Sequence, residues 1–184
     1  MISVVFFLGL IFATGSAYAD PVADYIKKNE GWRDKIYLDT AGHPTIGWGF
    51  NLDAPATRRC LPREVINGQR SLTKAEAEPC FQKLLTHARQ AAKDFAGEVW
   101  KELNINQKTA LTDMAYHLGR GGLFKFQRLR NALRRRDFKQ AAAEVLDSRY
   151  ARQTPRRARK NAGLIKDAPS PIVKEVENGQ RIVF

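Results

Sequence analysis

The sequence predicts an α+β fold, mostly helical, with a small N-terminal antiparallel sheet. Three observations predict it. A helical apolar period runs through Phe81, Leu84, Leu85, Ala88, Ala91, Ala92 and Phe95, and similar patterns follow it. Short β-prone runs broken by turn residues fill the stretch from Ile36 to Phe50. The 184 residues are 43% hydrophobic, with ten Phe, five Tyr and three Trp, which suits one domain with its own core and excludes a disordered chain.

Residues 1–19, MISVVFFLGLIFATGSAYA, carry no charged side chain and end in the small-x-small triplet Ala17-Tyr18-Ala19. That pattern predicts a signal peptide cleaved after Ala19 and an exported protein, periplasmic or secreted. The alternative is a signal anchor, since about 18 apolar residues is the lower edge of a membrane span. Membrane contact is expected only through this segment. Asp20-Pro21 then reads as an N-cap with proline at the first helical position, and Gly31 as a stop after Glu30. Ile36-Tyr37-Leu38, the turn cluster Asp39 to Gly42, and Thr45 to Phe50 predict a hairpin.

Residues 51–72 read as loop-rich with room for a short helix. Thr73-x-x-Glu76 resembles a capping box, and Pro79 is expected to kink the helix or delay its start. A helix from Asn106 to Leu118 should stop at Gly119. Further helices are expected at 126–136, 138–147 and 155–163, the last with Thr154 as N-cap. Asn178-Gly179 between apolar-rich runs predicts a C-terminal β-hairpin.

The net charge is +12, and residues 128–160 hold twelve Lys or Arg against three acids. Such a chain is drawn to polyanions. Specific nucleic-acid reading is not expected, because only Phe138 and Tyr150 interleave the basic region. Cys60 and Cys80 form a candidate disulfide, expected from the exported compartment; the alternative is two buried thiols. Three His and no Cys/His cluster predict no metal site, and no cofactor is expected.

Glu30 is the residue that local structure does not explain. Val22, Ile26 and Glu30 are spaced by four, so the carboxyl lies on the apolar stripe at a helix C-terminus. The helix dipole and burial both disfavour its ionised form. Asp39, in a wet turn, has the opposite surroundings. One protonated and one ionised carboxyl is the pair that glycoside hydrolysis requires. Taken singly, each is also an ordinary helix-end or turn residue.

The stretch EGWRDKIYLDTAGHPTIGWGF, Glu30 to Phe50, resembles the catalytic segment of the phage T4-type lysozymes, glycoside hydrolase family 24. SRYARQTPRRA, Ser148 to Ala158, is similar to a second segment of that family. The resemblance runs from about Asp20 to Lys160. It implies a lysozyme-like catalytic domain over residues 20–184, with a small β-containing lobe at about 32–72 and a helical lobe at about 96–165. The first helix, 21–30, is expected to pack with the helical lobe.

It further implies Glu30 as general acid, Asp39 as general base, Thr45 as the hydroxyl that helps place the attacking water, and Arg157 as a support packed against Glu30. His117, Tyr150 and Thr154 become candidate substrate contacts. His117 and Tyr150 depart from the family's residues, and His117 also reads as a satisfied helix histidine. Phe50 stands where a family histidine would make a structural ion pair. The implied activity is that of a monomeric muramidase, cutting the β-1,4 bond between N-acetylmuramic acid and N-acetylglucosamine in peptidoglycan, with inversion. The partners are peptidoglycan glycan strands and the anionic wall surface. A lytic transglycosylase and a non-catalytic wall-binding module are the alternatives.

Overall fold

Asp20 opens the first helix as its charge and position dictate. In the computed structural model, which describes residues 20–167, 173–175 and 181–183, its Oδ1 accepts from the backbone N–H groups of Val22 and Ala23, each at 3.2 Å. Helix α1 spans Pro21–Glu30 and ends at Gly31, whose φ of 71° is one that glycine adopts without strain. The segment expected to direct export, 1–19, lies outside the described residues.

A sheet of three strands follows, ordered β1 (Arg33–Leu38), β2 (Pro44–Gly47) and β3 (Phe50–Asn51), all antiparallel. The sequence suggested one hairpin whose second run reached Phe50. The run is instead cut in two, because Gly47 and Gly49 take φ values of 64° and 73° and turn the chain at Trp48. Gly47 closes β2 and Gly49 lies in the turn, so the alternating glycines serve a change of direction and not one continuous strand.

Two single-turn helices, α2 (Pro55–Arg58) and α3 (Arg63–Ile66), fill the loop-rich region. Cys60 and Cys80 are joined as a disulfide with a Cα–Cα distance of 5.2 Å, tying this region to the next helix. That helix, α4 (Lys74–Ala96), has both halves of the capping box at Thr73 and Glu76 and closes at Gly97 with φ 65°. It starts at Lys74 and runs through Pro79, so proline does not delay it. The ring only denies the Ala75 carbonyl one N–H donor.

Beyond a 3-10 turn at Gly97–Lys101 come α5 (Ile105–Phe124), α6 (Gln127–Arg134), α7 (Phe138–Leu146), α8 (Arg149–Gln153) and α9 (Pro155–Lys166). Helix α5 breaks at Gly119, as expected, and a short second segment resumes after it. Helix α8 was not anticipated; its five residues are nucleated by Ser148, whose Oγ accepts from the Ala151 N–H at 3.1 Å. Thr154 is the N-cap of α9 by position, but its hydroxyl donates to the Tyr150 carbonyl at 3.1 Å and caps nothing. At the C-terminus β4 (Val173–Glu175) pairs antiparallel with β5 (Arg181–Val183), as a hairpin requires. The Asn178-Gly179 turn lies outside the described residues.

The core has two parts joined by α4. Ala77, Cys80, Phe81 and Leu85 pack with Val22, Ala23 and Ile26 of α1, with Ile46 and Phe50 of the sheet, and with Leu61, Val65 and Leu72. Ala88, Ala91, Ala92, Phe95 and Ala96 pack with α5, α6, α7 and α9. A helix of 23 residues, about 34 Å long, therefore carries one continuous apolar face through both lobes. The apolar face of α1 belongs to the sheet-side core, while its polar edge reaches the helical lobe through Tyr25 and Asn29. The first helix is thus a bridge, which places Glu30 between the lobes.

Candidate active site

A cleft of about 730 Å³ lies between the lobes, lined by Glu30, Asp39, Thr45, Gly49, His117, Thr154 and Arg157 among others. Each catalytic candidate comes from a different local structure. Glu30 is the last residue of α1, Asp39 begins the loop after β1, and Thr45 lies on β2.

Glu30 is held, not left loose. The Arg157 Nη2 donates to its Oε1 at 2.7 Å, and both side chains are mostly buried, 13% and 10% exposed. Burial raises the Glu30 pKa and the Arg157 guanidinium lowers it; burial wins, leaving the carboxyl above its ordinary 4.5. The Oε1 is committed to arginine, so the proton belongs on Oε2. That oxygen faces Gly49, where an added Cβ would come to 2.5 Å from it. Gly49 is fixed by the turn at Trp48, whose carbonyl accepts from the Tyr116 hydroxyl of α5 at 3.0 Å. Gly49→Ala should therefore lose activity by displacing Glu30, and should cost about 1–2 kcal/mol through its left-handed backbone. Parallel assays of wall clearing and urea unfolding check both.

Asp39 has the contrasting environment. Its Oδ1 accepts from the backbone N–H of Ala41 at 2.8 Å and of His43 at 2.9 Å. These donors, His43 first, hold the carboxyl below its ordinary 3.8. Oδ2 has no hydrogen-bond partner among the described residues, so one oxygen anchors the loop and the other is free for chemistry. The His43 Nδ1 lies 2.8 Å from Asp53 Oδ2, tying the loop to the region after β3. Thr45 is buried, and its hydroxyl donates to the His43 carbonyl at 3.0 Å. With its proton committed, Thr45 Oγ1 can only accept.

Arg157 stands on a buried framework that the sequence did not disclose. Its Nε and Nη2 each lie 2.8 Å from an oxygen of Asp113, a fully buried residue of α5. Asp113 also accepts from Asn29 at 3.1 Å and Asn161 at 2.7 Å. Asn161 in turn donates to the Tyr150 hydroxyl at 3.0 Å and accepts from the Tyr25 hydroxyl at 2.9 Å. The available signal was Asp113 itself, an acid one turn before His117 and flanked by Ala110 and Met114.

His117 lines the cleft and also has a partner. The Arg157 Nη1 lies 3.0 Å from its Nδ1. A guanidinium only donates, so Nδ1 accepts and the ring is neutral with its proton on Nε2. Desolvation in the cleft, then the arginine charge, pushes the imidazole down to about 4, though one side of the ring stays open. Thr154 lines the cleft as well. Tyr150 does not fit a direct sugar contact. It is 3% exposed, lies under His117 with ring centroids 5.8 Å apart, and serves the Asn161 network. Phe50 is wholly buried in the sheet-side core, where an ion pair would have no solvent. Among the described residues no cluster of His, Cys, Asp and Glu could hold a metal.

Two carboxyls in opposed environments, facing one cleft between a small sheet lobe and a helical lobe, define an α+β protein of the lysozyme-like class. The phage lysozyme family profile matches residues 27–167, and the chain belongs to that family. Over 149 residues it is 31% identical to the pre-baseplate central spike protein Gp5 of Enterobacteria phage T4, a match covering 74% of this chain and 26% of that one. The chain thus spans about a quarter of the spike protein. It is 26% identical over 148 residues to probable T4-type lysozyme 2 of Dictyostelium discoideum, covering 73% and 87% of the two chains. Probable T4-type lysozyme 1 of the same organism is 25% identical over 158 residues, covering 79% and 93%.

Proposed function

We propose that this chain is a muramidase, a peptidoglycan hydrolase cutting the β-1,4 bond between N-acetylmuramic acid and N-acetylglucosamine. The observation that carries this reading is the pairing of a carboxyl whose pKa burial raises, Glu30, with one whose pKa backbone donors lower, Asp39, in a single cleft. Glu30 gives its Oε2 proton to the leaving glycosidic oxygen. A water donates one hydrogen to Asp39 Oδ2 and the other to Thr45 Oγ1, which directs its lone pair at the anomeric carbon. As the bond forms, Asp39 takes the proton, and the anomeric centre inverts.

Mass spectrometry of the muropeptides tests the reading. Hydrolysis leaves a reducing-end muramic acid; a transglycosylase leaves the anhydro sugar, lighter by one water, and that product would overturn it. Proton NMR during the first turnovers should show the inverted anomer.

The protonation states set the pH dependence. The productive pair exists above the pKa of Asp39, which lies below 3.8, and below that of Glu30, which lies above 4.5. Single-turnover rates should plateau between those two folded-state values. The alkaline limb should vanish in Glu30→Gln, and a limb that stays in a residually active Glu30→Gln would assign it to another group.

The net charge of +12 favours adsorption to an anionic wall, an attraction that weakens with salt. Export through residues 1–19, to periplasm or medium, and a monomeric state belong to the same proposal; the Cys60–Cys80 bridge suits an oxidising compartment.

A further inference from the structure

Three arginines line the cleft, and only Arg157 is committed to carboxylates. Arg33 projects from β1 on the small lobe, and Arg156 from the first turn of α9 on the helical lobe. Both are exposed, and neither pairs with a carboxylate among the described residues. The Arg33 guanidinium lies 4.3 Å over the Tyr37 ring, a stacking that restrains the side chain while leaving its donor edge open. Of the cleft's own acids, Glu30 is bound by Arg157 and Asp39 Oδ1 by its own loop, and neither forms an ion pair with Arg33 or Arg156 among the described residues.

An unpaired arginine on an outer face is ordinary. Two of them lining one substrate cleft, one from each lobe, present guanidinium donors that an anionic ligand can take. The guanidinium fork matches a carboxylate, and the charge-assisted bonds are strongest where solvent is partly displaced. A neutral N-acetylglucosamine polymer offers no such group. Peptidoglycan offers two: the lactyl carboxylate of muramic acid where the stem peptide has been removed, and the carboxylates of the stem peptide where it has not.

We propose that Arg33 and Arg156 form a carboxylate-reading pair that makes anionic glycan, not glycan as such, the preferred substrate. The inference rests on the muramidase reading and extends it to specificity. Neither arginine takes part in the proton transfers assigned to Glu30 and Asp39, so the effect belongs in KM.

The experiment uses the whole chain and four substrates: soluble peptidoglycan fragments, the same glycan stripped of peptides by an amidase, and each of these with its carboxylates amidated. Amidation should lower wild-type kcat/KM about tenfold, mostly through KM. In the double variant Arg33→Gln, Arg156→Gln the ratio of unmodified to amidated substrate should fall to near one. Arg33→Lys, Arg156→Lys should recover part of that ratio. Which unmodified substrate loses on amidation identifies the carboxylate. Wild type that ignores amidation, or a double Gln variant that keeps the wild-type ratio, overturns the proposal. If wild type cleaves none of the four, the muramidase reading falls and takes this one with it; if it cleaves all four alike, only this one falls.

Discussion

Glu30→Gln is expected to fold normally and to lose about 10²–10⁴-fold in the rate of clearing a peptidoglycan suspension. The amide keeps the shape of the protonated acid, and its carbonyl can still accept from Arg157 at the place of Oε1. What disappears is the proton on the other oxygen. Stability should move in the opposite direction. The folded pKa of Glu30 lies above its unfolded value of 4.5, so the folded state binds the proton more tightly than the unfolded chain. The stability that Glu30 contributes is then fully present below the unfolded value and is lost as pH rises through the folded one. Gln has no proton to lose. The variant should gain on wild type across that window and hold the gain above it, as urea unfolding at pH 4 and pH 7 would show. Undiminished clearing by the variant would sink the catalytic assignment. An unchanged stability difference between the two pH values would sink the buried-acid argument.

Much of this was legible in residue spacing. The four-residue interval from Val22 through Ile26 to Glu30 put a carboxyl on a buried stripe, and Ile26 is indeed wholly buried. Asp20-Pro21, Thr73-x-x-Glu76 and Gly119 marked helix ends because capping is a local event that neighbouring residues decide. The alternating glycines from Gly47 misled, because period two is shared by strands and by a turn whose glycines need positive φ. Thr154 misled for a related reason: a hydroxyl at a cap position has more than one acceptor within reach.

The convergence of Asn29, Asp113, Asn161 and Arg157 was not legible at all. Arg157 and Asn161 share one face of α9, but Asn29 and Asp113 are distant from them in sequence, and periodicity reports which face a side chain shares, not which polar groups meet across a cleft. The question left open by sequence, whether Arg157 or burial governs Glu30, could be answered only by finding the arginine's second partner. A guanidinium shared with fully buried Asp113 is partly neutralised before it meets Glu30.

That sharing predicts a large stability effect. Arg157→Ala should cost about 3–5 kcal/mol, because it strands the Asp113 carboxylate, which is 0% exposed, with only the Asn29 and Asn161 amides. It should also raise the Glu30 pKa further, since the arginine is the group that lowers it, and so shift the alkaline limb of activity upward. Asp113→Asn removes the stranded charge from the other side. The double variant Arg157→Ala, Asp113→Asn should therefore be less destabilised than the sum of the single changes, and urea unfolding of all four proteins measures the coupling. Arg157→Lys separates charge from geometry. Lysine keeps the charge but presents a point donor in place of a fork that reaches Asp113 through Nε and Nη2 and Glu30 through Nη2. If the fork matters, lysine should recover part of the stability but less of the activity, because Glu30 would lose its anchor first. Full recovery of both by lysine would mean that the positive charge alone supports the site.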